Sequence, residues 1–248
     1  MFPVDVGARS SGLGNANTTM IDVFALYHNQ AASAFIEDKA VGFFSENRYI
    51  TSELQSFGVG VSLPYTSGVL GFTLARFGFS SFNQSQLGVS VGKKLSEIVS
   101  LGVKVNVHHT HIDGFGSKVI LYEELSMFAK LTDEVSLGMH LINLIQPSSG
   151  KGQNLHTTST FKLGASYLKE DYCFFLDVYK SIRKDFNTKF GIEYLPLSSF
   201  ALRIGINTIP SQFFIGFGFF YHLFTIDFST GYLHDIGFTP SLSLCYDL

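Results

Sequence analysis

The sequence has no tryptophan, only two cysteines, and 15% charged residues in a chain of 248. An ordinary soluble domain carries about 25% charge. Two thiols, Cys173 and Cys245, are too few for a disulfide framework and are expected to stay separate. Lys and Arg total 17 against 20 Asp and Glu, a net charge of −3. No basic face follows from that balance, which argues against a nucleic-acid partner. Long hydrophobic runs are missing too. No window approaches the roughly 18 consecutive apolar residues of a spanning helix. The longest comparable stretch, residues 213–220, is broken by Gly216 and Gly218. The opening Met1-Phe2-Pro3-Val4-Asp5 has neither a basic n-region nor an apolar h-region, so a signal peptide is expected to have been removed or not included.

What the chain does have is 46% hydrophobic residues, with 26 Phe and 24 Gly. Such a chain is too apolar and too aromatic for disorder. Apolar without apolar helices leaves two classes, a soluble all-β protein or a transmembrane β-barrel.

Period-2 alternation decides between them. Phe57, Val59, Val61 and Leu63 alternate with Gly58, Gly60 and Ser62; Leu101, Val103, Val105 and Val107 alternate with Gly102, Lys104 and Asn106. Each such run has one apolar face and one polar or small face. Short turn signals separate fourteen strands, near 40–50, 56–66, 69–82, 85–95, 99–112, 118–131, 134–145, 156–168, 172–182, 186–195, 199–208, 212–222, 223–233 and 238–248. Most are long enough to cross a bilayer at a tilt, and soluble strands are commonly shorter. An even strand number puts both termini on the periplasmic side. The turns around LSEIVS, LTDEVS, KED and LPLSS then fall inside, and the longer loops, including IQPSSGKGQNL, fall outside. The expected fold is an all-β, antiparallel transmembrane barrel of about fourteen strands in the bacterial outer membrane. A third possibility, a soluble lipid-carrying barrel, fits the strand number poorly.

Both ends add signals. Leu242, Leu244, Tyr246 and Leu248 occupy every second position to the C-terminus, a pattern similar to the signal read by barrel-assembly machinery. Residues 1–39 break the alternation and are too apolar for a solvated tail. Gly7, Gly12 and Gly14 suggest a flexible stretch, and residues 21–32 suggest one or two helical turns. A plug over 1–39 inside a barrel over 40–248 accounts for both the segment and the inward Gly58, Gly60, Gly88 and Gly92. Apart from Lys39 at its end, Arg9 is its lone cation, with Glu124, Asp177, Glu193 and Asp227 as candidate inward acceptors.

Gly7-Ala8-Arg9, Gly12, Gly14, Ala16, Asp22, Ala25, Tyr27, Asn29 and Ala31 resemble the opening of the PorV/PorQ group within the FadL-like outer-membrane barrels of Bacteroidota. Gln30 stands where that opening usually has Pro. The last eighteen residues are similar to the group's final hairpin. The resemblance implies a fourteen-stranded barrel with an N-terminal hatch in the lumen. FadL itself takes up long-chain fatty acids, whereas PorV-like members serve as partner barrels in type IX secretion.

Chemistry-bearing motifs are scarce. No P-loop or H-E-x-x-H occurs, and neither catalysis nor a cofactor is expected. His108 should face the lumen, with His109 and His111 turned away or in the loop. That split favours a polar rim over a metal site. Lys104, Glu124, Lys162, Asp177, Lys189, Glu193, Arg203 and Asp227 are predicted inward, and their mixed signs suggest a wall network tied to the plug. The function expected is a non-enzymatic accessory barrel. It would be a subunit of a larger envelope assembly for protein secretion or outer-membrane protein insertion, in contact with membrane lipid and with outer-membrane or periplasmic proteins. The alternative is a FadL-like conduit for a hydrophobic small molecule.

Overall fold

In the computed structural model, described for residues 5–144, 159–182 and 185–248, fourteen antiparallel strands close into one barrel. They are Ala40–Asn47 (β1), Gln55–Tyr65 (β2), Gly68–Gly78 (β3), Phe82–Lys94 (β4), Val99–Ile112 (β5), Gly116–Lys130 (β6) and Val135–Ile142 (β7). Thr160–Lys169 (β8), Tyr172–Ser181 (β9), Asn187–Leu197 (β10), Phe200–Thr208 (β11), Ser211–Tyr221 (β12), Phe224–Leu233 (β13) and Gly237–Asp247 (β14) complete the ring. β14 pairs with β1, Tyr246 opposite Val41 and Leu242 opposite Ser45, so no free edge remains.

Two boundaries differ from the alternation reading. β1 stops at Asn47 because Tyr49 and Ile50 take positive φ in a short turn over Arg48–Ile50. β7 stops at Ile142, where Asn143 takes φ 56°. The predicted long outer loop over 145–155 and the first residues of the predicted strand 156–168 lie outside the described residues.

Alternation sets the two faces. Phe213, Leu87 and Val105 stand outward and exposed, a surface that hydrocarbon covers. Lys104, Glu124, Lys162, Asp177, Lys189, Glu193, Arg203 and Asp227 all point inward and are buried, as predicted. The barrel and its apolar outer belt are those of an outer-membrane protein. Cys173 and Cys245 are free thiols.

Inward glycines meet in cross-strand pairs: Gly42 with Gly60, Gly92 with Gly102, Gly138 with Gly164, and Gly191 with Gly205. These pairs thin the inner wall where residues 13–31 pass against it. Residues 5–39 run along that wall. Three short helices lie there, Ala8–Gly12 (α1), Ala25–His28 (α2) and Gln30–Ser33 (α3). The stretch read from its glycines as flexible therefore holds α1. Close approach demands those glycines: Gly12 lies against the Cα of Gly216, and Gly14, at φ 67°, against the backbone of Ile206. Leu13, Met20 and Leu26 are almost wholly buried, worth about 1.5–3 kcal/mol each.

Candidate functional site

The residues of the opening motif converge inside the barrel. Gly7 takes φ 104° ahead of α1, and a side chain there would meet the Phe24 ring. The Ala8 amide donates to Ser243 Oγ at 3.2 Å. Arg9 donates through Nη2 and Nε to Glu193 at 2.6 and 3.0 Å, and through Nη1 to Asp22 at 3.3 Å. Among the inward acceptors offered by the sequence, Glu193 is the one that receives it. Asp22 also accepts from the Phe24 amide at 2.9 Å. The Tyr27 hydroxyl lies 2.6 Å from the Val59 carbonyl and 2.7 Å from that of Leu74, set beside Gly58. Asn29 caps α3 by accepting from the amides of Ala31 and Ala32, and its Nδ2 donates to Thr18 O at 2.7 Å.

The wall answers with its own network. Arg203 donates to Glu193 and to Asp227, each at 2.6 Å, and is itself almost fully buried. Asp177 Oδ2 accepts from the amides of Asn17 and Thr18 and from Thr18 Oγ1, the last at 2.7 Å. Lys104 donates to the Leu26 carbonyl at 2.9 Å. Of the eight inward wall charges predicted from alternation, four are positive and four negative, so they balance among themselves.

Several contacts have no counterpart in the sequence reading. Gln30, the departure from the expected Pro, donates to Glu124 at 2.7 Å, a bond that Pro lacks. Glu124 also accepts from Asn106 and from His140 Nε2 at 2.9 Å. His140 was legible only as an inward position two residues beyond Gly138. His28 donates through Nε2 to the Val6 carbonyl at 2.6 Å. Burial and the nearby Lys162 ammonium push its imidazole down to about 3, although Asp5 and the Val6 carbonyl oppose the shift. Asp5 lies 3.6 Å from Lys189 and 3.9 Å from Lys162. Burial raises its pKa, but the two ammonium groups outweigh that and leave the carboxyl below its ordinary value. Gly88, expected to make room for the segment, instead accommodates the side chains of Lys104 and Thr73 from its own wall.

The lumen has distinct sectors. On one side Val6, Phe24, Leu26 and Tyr27 pack on Phe44, Val69 and Ala75 of β1 and β3. The network of Glu193, Arg203 and Asp227 lies on β10, β11 and β13. A cavity of about 410 Å³ at the periplasmic mouth is bounded by Arg9, Asp22, Phe24, Ile36, Asp227 and Asp247. His108 is buried and faces the lumen, while His109 and His111 stand on the outward side. The C-terminal Leu242, Leu244 and Leu248 are exposed on the outer face, and Tyr246 packs on Phe224 with ring centroids 4.7 Å apart.

No family model matches the sequence, and no curated protein matches it. Solved structures do. The toluene transporter TbuX of Ralstonia pickettii superposes with a TM-score of 0.74 over 98% of each chain at 11% identity. The CymD monoaromatic hydrocarbon channel gives 0.71 over 98% of this chain and 97% of its own, at 12% identity. A FadL homologue of Pseudomonas aeruginosa gives 0.66 over 96% of this chain and 98% of its own, at 13% identity. These neighbours are channels and transporters rather than enzymes. They overturn the expected role as a secretion or insertion subunit and give no support to protein partners. At these identities the likeness establishes one thing about this chain: it has the FadL-like outer-membrane barrel fold.

Proposed function

We propose that this protein is a non-enzymatic conduit for a hydrophobic small molecule, with residues 1–39 as its hatch and residues 40–248 as its barrel. The observation that carries the reading is the apolar sector of the lumen, where Phe44, Val69 and Ala75 meet Val6 and Phe24. Withdrawal of the segment bares an apolar strip on β1 and β3 beside a charged wall. An apolar solute gains by following that strip, roughly in proportion to the area it buries. The fold likeness to toluene transporters and a monoaromatic hydrocarbon channel supports a cargo of that size and polarity. The finer grouping with PorV/PorQ barrels rests on the opening motif of Gly7 to Ala31 and on the likeness of the last eighteen residues to the group's final hairpin.

The test is uptake of a labelled monoaromatic hydrocarbon by cells whose outer membrane carries the protein. Faster uptake than in cells without it is expected, and Val69→Arg should slow it. Equal uptake with and without a correctly folded barrel ends the reading.

A further inference from the structure

The lipid-facing wall is not uniform. Over β12 and β13 it carries large rings such as Phe213, Phe217 and Phe228. Over β2–β5 it is mostly aliphatic and sinks into a groove of about 530 Å³, lined by Leu74, Leu87, Val89, Val105, Val107 and the ring of Phe72. Register shows what stands above this groove. Leu74, Leu87 and Val107 form one outward rung across β3, β4 and β5. The next outward rung toward the extracellular side is Arg76, Ser85 and His109. Asn83 and His111 follow one rung higher, with His111 Nδ1 2.9 Å from Ser117 Oγ.

Arg76 is exposed on this face, and no described residue pairs with its guanidinium. A cation on the lipid face is tolerated near the interface, where headgroups can meet it. Guanidinium binds phosphate through two parallel hydrogen bonds, which makes arginine the fitting residue for such a headgroup. Imidazole N–H groups add donors on the same rung, at His109, and on the next, at His111. Glu123 also faces outward, in register with Val105 two rungs below His109, and is already partnered. That depth belongs to acyl chains rather than to phosphates.

We propose that the outer face of β2–β5 binds a phosphorylated, multiply acylated lipid of the outer leaflet, its chains in the groove and its phosphate on Arg76, His109 and His111. Aliphatic groove below and unpaired cation above match the two halves of one amphiphile. The inference does not depend on the conduit reading.

The absence of tryptophan supplies the experiment. Leu87→Trp places a single indole in the groove of the full-length barrel. Titration with lipid A in detergent should give a saturable fluorescence change. The same titration with Arg76→Gln added should be about tenfold weaker, which corresponds to about 1.4 kcal/mol. Heat-modifiable migration checks that each variant is folded. If Leu87→Trp does not fold, lipid A retained by the parent and by Arg76→Gln after delipidation gives the same comparison. An unchanged affinity in the Arg76→Gln background overturns the site. An equal response to phosphatidylglycerol, a phospholipid of two chains, overturns the assignment of the groove to a lipid with more than two chains. An equal response to inorganic phosphate shows a free-anion site and overturns the lipid.

Discussion

The Arg9 guanidinium grips both carboxylate oxygens of Glu193, at 2.6 and 3.0 Å, and so ties the N-terminal segment to β10. Glu193 simultaneously accepts from Arg203, so removing its charge takes a carboxylate from two guanidinium groups at once and leaves Arg9 with Asp22 and Arg203 with Asp227. Breaking one partner from such a buried pair costs about 3–5 kcal/mol. Glu193→Gln should therefore lower the unfolding midpoint and loosen the segment. Arg9→Gln should cost less, since Arg9 is partly exposed and Glu193 keeps Arg203. Thermal unfolding of the two variants, followed by the loss of heat-modifiable migration, checks the order.

Seating of the segment should limit ion flow. Planar-bilayer recordings compare the intact protein with a variant lacking residues 2–36. Little current is expected from the first and steady conductance from the second. A permanently open channel in the intact protein would refute the hatch.

Side-chain phase along β10 is open to direct test. Phe190 belongs to the outward face and Lys189 to the buried inward face. A cation at mid-bilayer depth on the lipid face costs about 2–4 kcal/mol. Phe190→Arg should thus hinder stable insertion far more than Lys189→Arg. Equal stability of the two in lipid would reverse the assignment of faces.

The paired glycines make a steric prediction. A Cβ at Gly138 would meet the Thr18 carbonyl and the Asn29 amide nitrogen. Overpacking of this kind typically costs about 1–3 kcal/mol. Gly138→Val should displace the segment without opening the barrel. Limited proteolysis near residue 20 should then accelerate, while Leu137→Ile, on the outward face of β7, should leave it unchanged.

Acid should weaken the segment in two steps. His28 is held neutral in the folded chain, with its pKa near 3 against an ordinary 6.5. Between those values the unfolded chain binds more protons, so stability falls as pH drops below 6.5. Asp5 has a folded pKa below its ordinary 3.8, so its contribution is complete above that value and is lost only below it. Protection factors of residues 6–30, with the intrinsic exchange rate divided out, should fall from pH 6.5 downward, and His28→Gln should reduce that fall. Asp5→Asn should alter only the part below pH 3.8.

Strand positions were legible because lipid and lumen impose opposite demands on alternate residues. Phe57, Val59 and Val61 meet hydrocarbon, and Gly58 and Gly60 meet a packed chain, so the pattern survives in one dimension. The acceptor of Arg9 was not legible beyond a choice of four carboxylates. Inward phase is common to all of them, and only the path of α1 along β11–β14 brings Arg9 to Glu193. The bond from Gln30 to Glu124 was hidden for the same reason, since it joins residues 94 positions apart.

The sequence by itself determined the barrel, its faces and the sign of each inward wall charge, because alternation is a local property that any closed sheet in a membrane must obey. Tertiary structure decided where residues 5–39 lie, which carboxylate takes Arg9, and which lumen sector is apolar. It also decided that Arg76 stands one rung above an aliphatic groove. Each of these depends on the register between strands and on a chain path through the lumen, and long-range closure fixes both where local pattern cannot.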